Sequence, residues 1–202
     1  PGEKLVAAMQ HLAAGVVFAA AATEILPLVM HAGSPTATLI GGALGVAVMF
    51  GLKAAESRFE GPVALLAAIG LDLAIDGLVL GLACIAGEKA GTLLAVALTL
   101  EVLFLALTLT NDLAGRYRKA KAIGLTCALG VLVPIGALVA QPVALLSPIW
   151  ITGFLSFGLM ALLYLVTEEL LVEAHEKLDS PLISAMFFVG FLILLLIEEI
   201  MA

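Results

Sequence analysis

The segment that decides the fold is 62–86, which reads PVALLAAIGLDLAIDGLVLGLACIA. A helix crosses the hydrocarbon core of a bilayer in about 20 apolar residues, and this segment is long enough to do so. Near its middle lie two carboxylates, Asp72 and Asp76. Acidic side chains at this depth cost free energy and usually have a function. The segment therefore predicts a membrane-spanning helix that carries ionisable groups near the bilayer midplane.

The whole chain shares this composition. Apolar residues make up 63% of its 202 residues and charged residues only 12%, with a mean hydropathy of +1.21. A soluble domain carries about 25% charged residues, so water is the wrong solvent for this chain. The net charge of −7 comes without a basic patch, and no nucleic-acid partner is predicted. We predict an all-α integral membrane protein with a single transmembrane domain over 1–202.

Breaks at Gly, Pro and charged clusters divide the chain into seven predicted spans. Lys and Arg residues then set the orientation, because cytoplasmic loops are rich in them. Of the nine Lys and Arg residues, Lys89 alone falls on the side opposite Lys4. We predict a cytoplasmic N-terminus, an external C-terminus and residence in the cytoplasmic (inner) membrane of a prokaryote. The predicted spans are 5–30, 36–52, 62–86, 91–111, 120–140, 148–172 and 181–200.

Small residues and a proline predict how the spans pack and where one of them is interrupted. Gly41 and Gly45 are four residues apart, as are Gly77 and Gly81. Such small-xxx-small faces let two helices approach closely. Pro27 interrupts or kinks the first span, because it cannot donate a helical hydrogen bond.

The first and sixth spans share a signature. Thr-Glu-x-Leu begins at residue 23 and again at residue 167, and in each copy a His follows the Glu by seven residues: His31 and His175. A Ser-Pro then opens the next span in both places. The two copies run in opposite directions, as in the inverted repeats of many transporters. Because the fifth span has no partner in this scheme, we expect an eighth helix before residue 1.

Three carboxyl groups are predicted to converge at the midplane. Asp72 and Asp76 are four residues apart and share one helical face. Glu101 lies at the centre of the fourth span, which follows the third through the short connection 86–91. No Lys or Arg lies in the middle of any span, so a bound cation, protons or cavity water must neutralise these acids. The alternative is that protonated acids hydrogen-bond neighbouring helices as structural contacts.

Oxygen ligands suit hard cations such as Mg²⁺, Mn²⁺ or Ca²⁺, whereas zinc sites are richer in His and Cys. The three histidines lie near span ends, and we do not place them in the site. Three further acids lie where they could join the ion path. They are Glu24 and Glu168, deep in the first and sixth spans, and Asp112, at the cytoplasmic end of the fourth span.

The chain resembles the ZIP family of metal-ion transporters. The run 72–78 reads DLAIDGL and is similar to the His-Asn-x-x-(Asp/Glu)-Gly motif of that family's fourth helix. Glu101 falls at the second position of the fifth-helix motif, His-Glu-x-Pro-Glu-Gly. The stretches 13–27 and 158–169 resemble the second and seventh helices. The resemblance covers the chain as helices two to eight and likewise implies a preceding helix.

The departures from the family pattern concern the ligands. Asp72 stands in place of the motif's His and Leu73 in place of its Asn. Leu100, Leu103 and Phe104 replace the His, Pro and second Glu of the next motif. The metal ligands that the resemblance implies are therefore Asp72, Asp76 and Glu101.

The resemblance also implies an elevator mechanism, often within a homodimer. The region 62–140 would carry the ion against a scaffold formed by 5–52 and 148–200. We thus predict a divalent-cation transporter with no enzymatic activity and no resident cofactor. Two alternatives stay open: a non-transporting homologue, such as a metal sensor or structural bundle, and an intramembrane hydrolase that uses Asp76 with Glu101.

Overall fold

The computed structural model describes residues 3–56, 62–115, 117–172, 174 and 180–201, and they contain no β-strand. Within these ranges, seven long helices, α1 to α7, follow one another along the chain. All seven are long and apolar enough to cross a membrane, as the sequence predicts. Their bounds are 3–31 for α1, Pro35–Glu56 for α2, Pro62–Ala86 for α3, Glu88–Ala114 for α4, 119–145 for α5, 148–172 for α6 and Pro181–Met201 for α7.

The outer surface of the bundle is apolar. Leu39 and Phe50 on α2, Leu138 on α5 and Leu182 on α7 all expose more than half of their accessible area. In water such a surface would cause aggregation, whereas in a bilayer it contacts lipid chains. The fold therefore indicates an integral membrane protein, in agreement with the composition.

The helices pair in a nested order. The most extensive contacts join α1 to α7, α2 to α6, and α3 to α5. The central helix α4 contacts α1, α3 and α5, and α3 also contacts α6. The first and last helices thus lie side by side, and α3 and α4 are held between the outer pairs.

Glycines make the closest of these contacts. Gly41 of α2 packs so tightly on α6 that a Cβ would overlap the carbonyl oxygen of Gly153. Gly77 of α3 has the same relation to Val133 of α5, and Gly45 and Gly81 also face backbone carbonyls. The predicted close-packing role of these glycines is confirmed.

Gly41→Ala should destabilise the protein, and Gly51→Ala on the same helix should not. Overpacking a tight contact costs about 1–3 kcal/mol. At Gly51 there is open space around the added methyl group, so only the better helix propensity of Ala remains. Thermal unfolding of the two purified variants in detergent checks this. A midpoint for Gly41→Ala that equals or exceeds that of Gly51→Ala would contradict the close contact.

In the described part of the chain, two helices contain a π-helical segment, and each segment includes the repeated Thr-Glu pair. In α1 the segment is Ala21–Ile25, and the N–H of Leu26 donates to the carbonyl of Ala21, five residues back. Pro27 supplies a cause, because it has no N–H to donate to the carbonyl of Thr23. In α6 the segment is Leu165–Leu170. Such segments are rare and are often found at functional sites.

Candidate functional site

The structure buries the acidic residues of α3 at its middle. Asp76 is only 3% exposed, and Asp72, one turn earlier, is half-buried. The neighbouring Gly77 presses against α5, which brings the backbone of this turn into the interior. Asp76 therefore lies in the core of the bundle, away from lipid.

Glu101 reaches the interior from the next helix. A single residue, Gly87, separates α3 from α4, and Gly91 packs against Cys84 to close this hairpin tightly. The two helices are consequently antiparallel neighbours, as predicted. Glu101, near the middle of α4, is 4% exposed. Its Oε2 atom is buried and has no hydrogen-bond partner among the described residues.

Electrostatic interactions connect these acids into one group. The negative charges of Glu101 and Glu169 act on Asp76, and those of Asp72 and Glu169 act on Glu101. We call Asp72, Asp76, Glu101 and Glu169 the carboxylate cluster. Its members lie on α3, α4 and α6. The interactions just described between them are repulsive, because all four side chains are acidic. Like charges held together at low dielectric need a compensating proton or cation.

Glu169 is the member that sequence reasoning missed. The repeated signature pointed to its neighbour Glu168, whose side chain is exposed in the structure. The backbone carbonyl of Glu168 accepts a hydrogen bond from the Nζ of Lys53 at the end of α2. Glu169 is instead half-buried and interacts with Asp76 and Glu101. The only signal in the sequence was the Glu-Glu pair itself.

The remaining predicted residues lie elsewhere. Glu24 is buried in α1, and the charges that act on it belong to Lys89 and Glu198. Asp112 is in the last turn of α4, but its side chain and all of His175 lie outside the described residues. His11 and His31 each donate from Nδ1 to a carbonyl one turn earlier in their own helix.

The cluster offers oxygen ligands alone. Within the described ranges, no three His, Cys, Asp or Glu side chains are arranged to hold a metal ion together. A cation here would take one or two carboxylates and complete its shell with water or backbone carbonyls. Mg²⁺ is commonly bound in this way, because it keeps several of its waters.

Comparison of the chain with protein-family models and with curated proteins finds no match. Fold and site define an all-helical protein with seven helices that are long and apolar enough to cross a membrane and, among the described residues, with buried acids in its core.

Proposed function

We propose that this protein transports hard divalent cations through the carboxylate cluster. The burial of Asp76 and Glu101 on adjacent helices carries the proposal. Each charge at the centre of a bilayer costs about 2.5–3.5 kcal/mol, and mutual repulsion adds to that cost. A divalent cation compensates two carboxylates at once, and its binding is linked to proton release.

The nested helix pairs and the two π-helical segments support an inverted repeat. In this repeat α1 corresponds to α6, and α2 corresponds to α7. The packing of α1 against α7 then corresponds to the packing of α6 against α2, and both of these pairs are closely packed. The segments Ala21–Ile25 and Leu165–Leu170 fall at equivalent places in this scheme. Such repeats form the binding sites of many transporters at the midplane.

We further propose that the protein is a divergent relative of the ZIP transporters. Asp72, Asp76 and Glu101, of which one or two would hold the cation, lie on α3 and α4, whose sequences resemble motifs of that family. In an elevator mechanism, α3 to α5 would slide against α1, α2, α6 and α7, within a homodimer. The basic residues favour a cytoplasmic N-terminus. We propose the inner membrane of a prokaryote as the location.

Uptake into proteoliposomes tests the proposed function. Purified protein is reconstituted, and the uptake of Mg²⁺, Mn²⁺, Ca²⁺ and Zn²⁺ is followed with dyes trapped inside. We expect saturable uptake of at least one hard cation, well above that of empty liposomes. Cation binding without uptake would favour a metal sensor, and neither binding nor uptake would favour a structural bundle. Cleavage of a model transmembrane peptide would favour the hydrolase.

A further inference from the structure

A second polar group lies near the end of the bundle that carries residue 201, which we call the C-side. Three helices meet there: α1 and α7 end and α4 begins on this side, and α1 packs against both α7 and α4. Lys89 of α4 forms an ion pair with Glu198 of α7, with 3.4 Å between Nζ and Oε1. The carboxylate of Glu24 on α1 is attracted by Lys89 and repelled by Glu198. We call these three residues the C-side cluster.

Glu24 is the deep member of this cluster. It is 8% exposed, and its buried Oε1 atom has no hydrogen-bond partner among the described residues. The hydroxyl of Thr23 next to it is likewise a buried atom without a partner in the described ranges. Glu24 precedes the last residue of α1 by seven positions, which is roughly 10 Å of helix. A buried carboxylate with an open acceptor is costly, so this position favours a ligand that carries positive charge.

Lys89 compensates this site only in part. Two carboxylates and one ammonium group leave a net charge of −1. The Lys89 side chain is 39% exposed and the Glu198 side chain 22%, so the ion pair is open to water. An ammonium group on a flexible four-carbon stem moves easily between buried and solvated positions. A divalent cation between the two carboxylates would bring the net charge to zero.

We propose that the C-side cluster is a divalent-cation site in which Lys89 is a displaceable internal occupant. The cation binds between Glu24 and Glu198, and the Lys89 ammonium turns outward into water. Without the cation, Lys89 keeps the buried carboxylate compensated. A cation that leaves this site towards the midplane would next meet the carboxylate cluster. That role in access rests on the proposed transport function, whereas the binding itself does not.

Binding of Mn²⁺ to the full chain in detergent tests the proposal, with free Mn²⁺ measured by electron paramagnetic resonance. Asp76→Asn and Glu101→Gln are introduced together as a background, so that the remaining binding reports the C-side cluster. Removing the internal competitor with Lys89→Met should tighten Mn²⁺ binding about tenfold. Glu24→Gln and Glu198→Gln should each weaken it at least about tenfold. Glu199→Gln, an exposed neighbour of Glu198, is the matched control and should change nothing.

Unchanged or weaker Mn²⁺ binding in a folded Lys89→Met variant would overturn the proposal, because Lys89 would then be a structural clamp. If Lys89→Met does not fold, Lys89→Arg decides instead. Its guanidinium holds carboxylates more firmly, and Mn²⁺ binding should weaken. If substitution of Lys89 changes Mn²⁺ binding but the unsubstituted protein takes up no cation, the C-side site is supported and the transport function is rejected. If the protein takes up cations but substitution of Lys89 leaves Mn²⁺ binding unchanged, transport is supported and the C-side site is rejected.

Discussion

Asp76→Asn and Glu101→Gln should each reduce divalent-cation uptake at least roughly 30-fold in proteoliposomes. Removing one partner of a buried charge pair costs about 2–5 kcal/mol, and 1.4 kcal/mol is about tenfold in affinity. Both substitutions keep the shape of the side chain and remove only its charge. Initial uptake rates over a range of cation concentrations check the prediction, with Glu88→Gln as the control because Glu88 is exposed on the same helix as Glu101.

Uptake separates a transport role from a structural one, because the amide variants should stay folded in both cases. If the acids serve a cation, the amide variants should be at least as stable as the unsubstituted protein, since each removes a charge that costs about 2.5–3.5 kcal/mol at the midplane. If the acids are protonated and bond neighbouring helices, the amides can replace those hydrogen bonds and uptake should be unchanged. Unchanged uptake in both variants would therefore reject the site. Asp72→Asn should have a smaller effect, because Asp72 is only half-buried.

The overall fold was predictable because hydrophobicity dominates this sequence. All seven helices follow from the length of the apolar runs and the breaks between them. The end of α2 was less predictable, because it runs to Glu56, beyond the predicted 52. The α-helical part of α5 ends at Ala140, as predicted, and a 3-10 segment, Gln141–Leu145, follows it. Helical structure continues past the apolar run because its hydrogen bonds do not depend on the lipid boundary. Small-residue spacing also predicted the close contacts of Gly41 and Gly77.

The site was predictable where regular helix geometry holds. Asp76 and Glu101 lie at mid-span on a tight hairpin, and a short connection forces such neighbours together. Which acid α6 contributes was not predictable, because it lies in a π-helical segment. The period of 3.6 residues fails there, so the sequence does not show which of two adjacent acids points inward. Glu198 was missed for another reason: its pairing with Lys89 arises from the packing of α7 beside α4, which the sequence does not show.

Glu169→Gln should lower divalent-cation uptake about tenfold, whereas Glu168→Gln should leave it nearly unchanged. The difference arises because adjacent residues of a helix point in different directions. Glu169 is half-buried and interacts with Asp76 and Glu101, whereas Glu168 is exposed. Its effect should be smaller than that of Asp76, because a half-buried carboxylate is partly screened by water. The same uptake assay, run on both variants at equal protein content, makes the measurement.

The pair of variants is well matched, because Glu168→Gln preserves the contact that Glu168 makes with α2. Lys53 donates to the backbone carbonyl of Glu168, which the substitution does not alter. If only the total negative charge at this end of α6 mattered, both variants would lose the same fraction of cation uptake. Equal losses of uptake would therefore reject the specific role of Glu169. A larger loss for Glu168→Gln would indicate that the repeated Thr-Glu signature, and not the interior position, marks the functional acid. The sixth span would then use the same residue as Glu24 in the first, and the carboxylate cluster would be limited to α3 and α4.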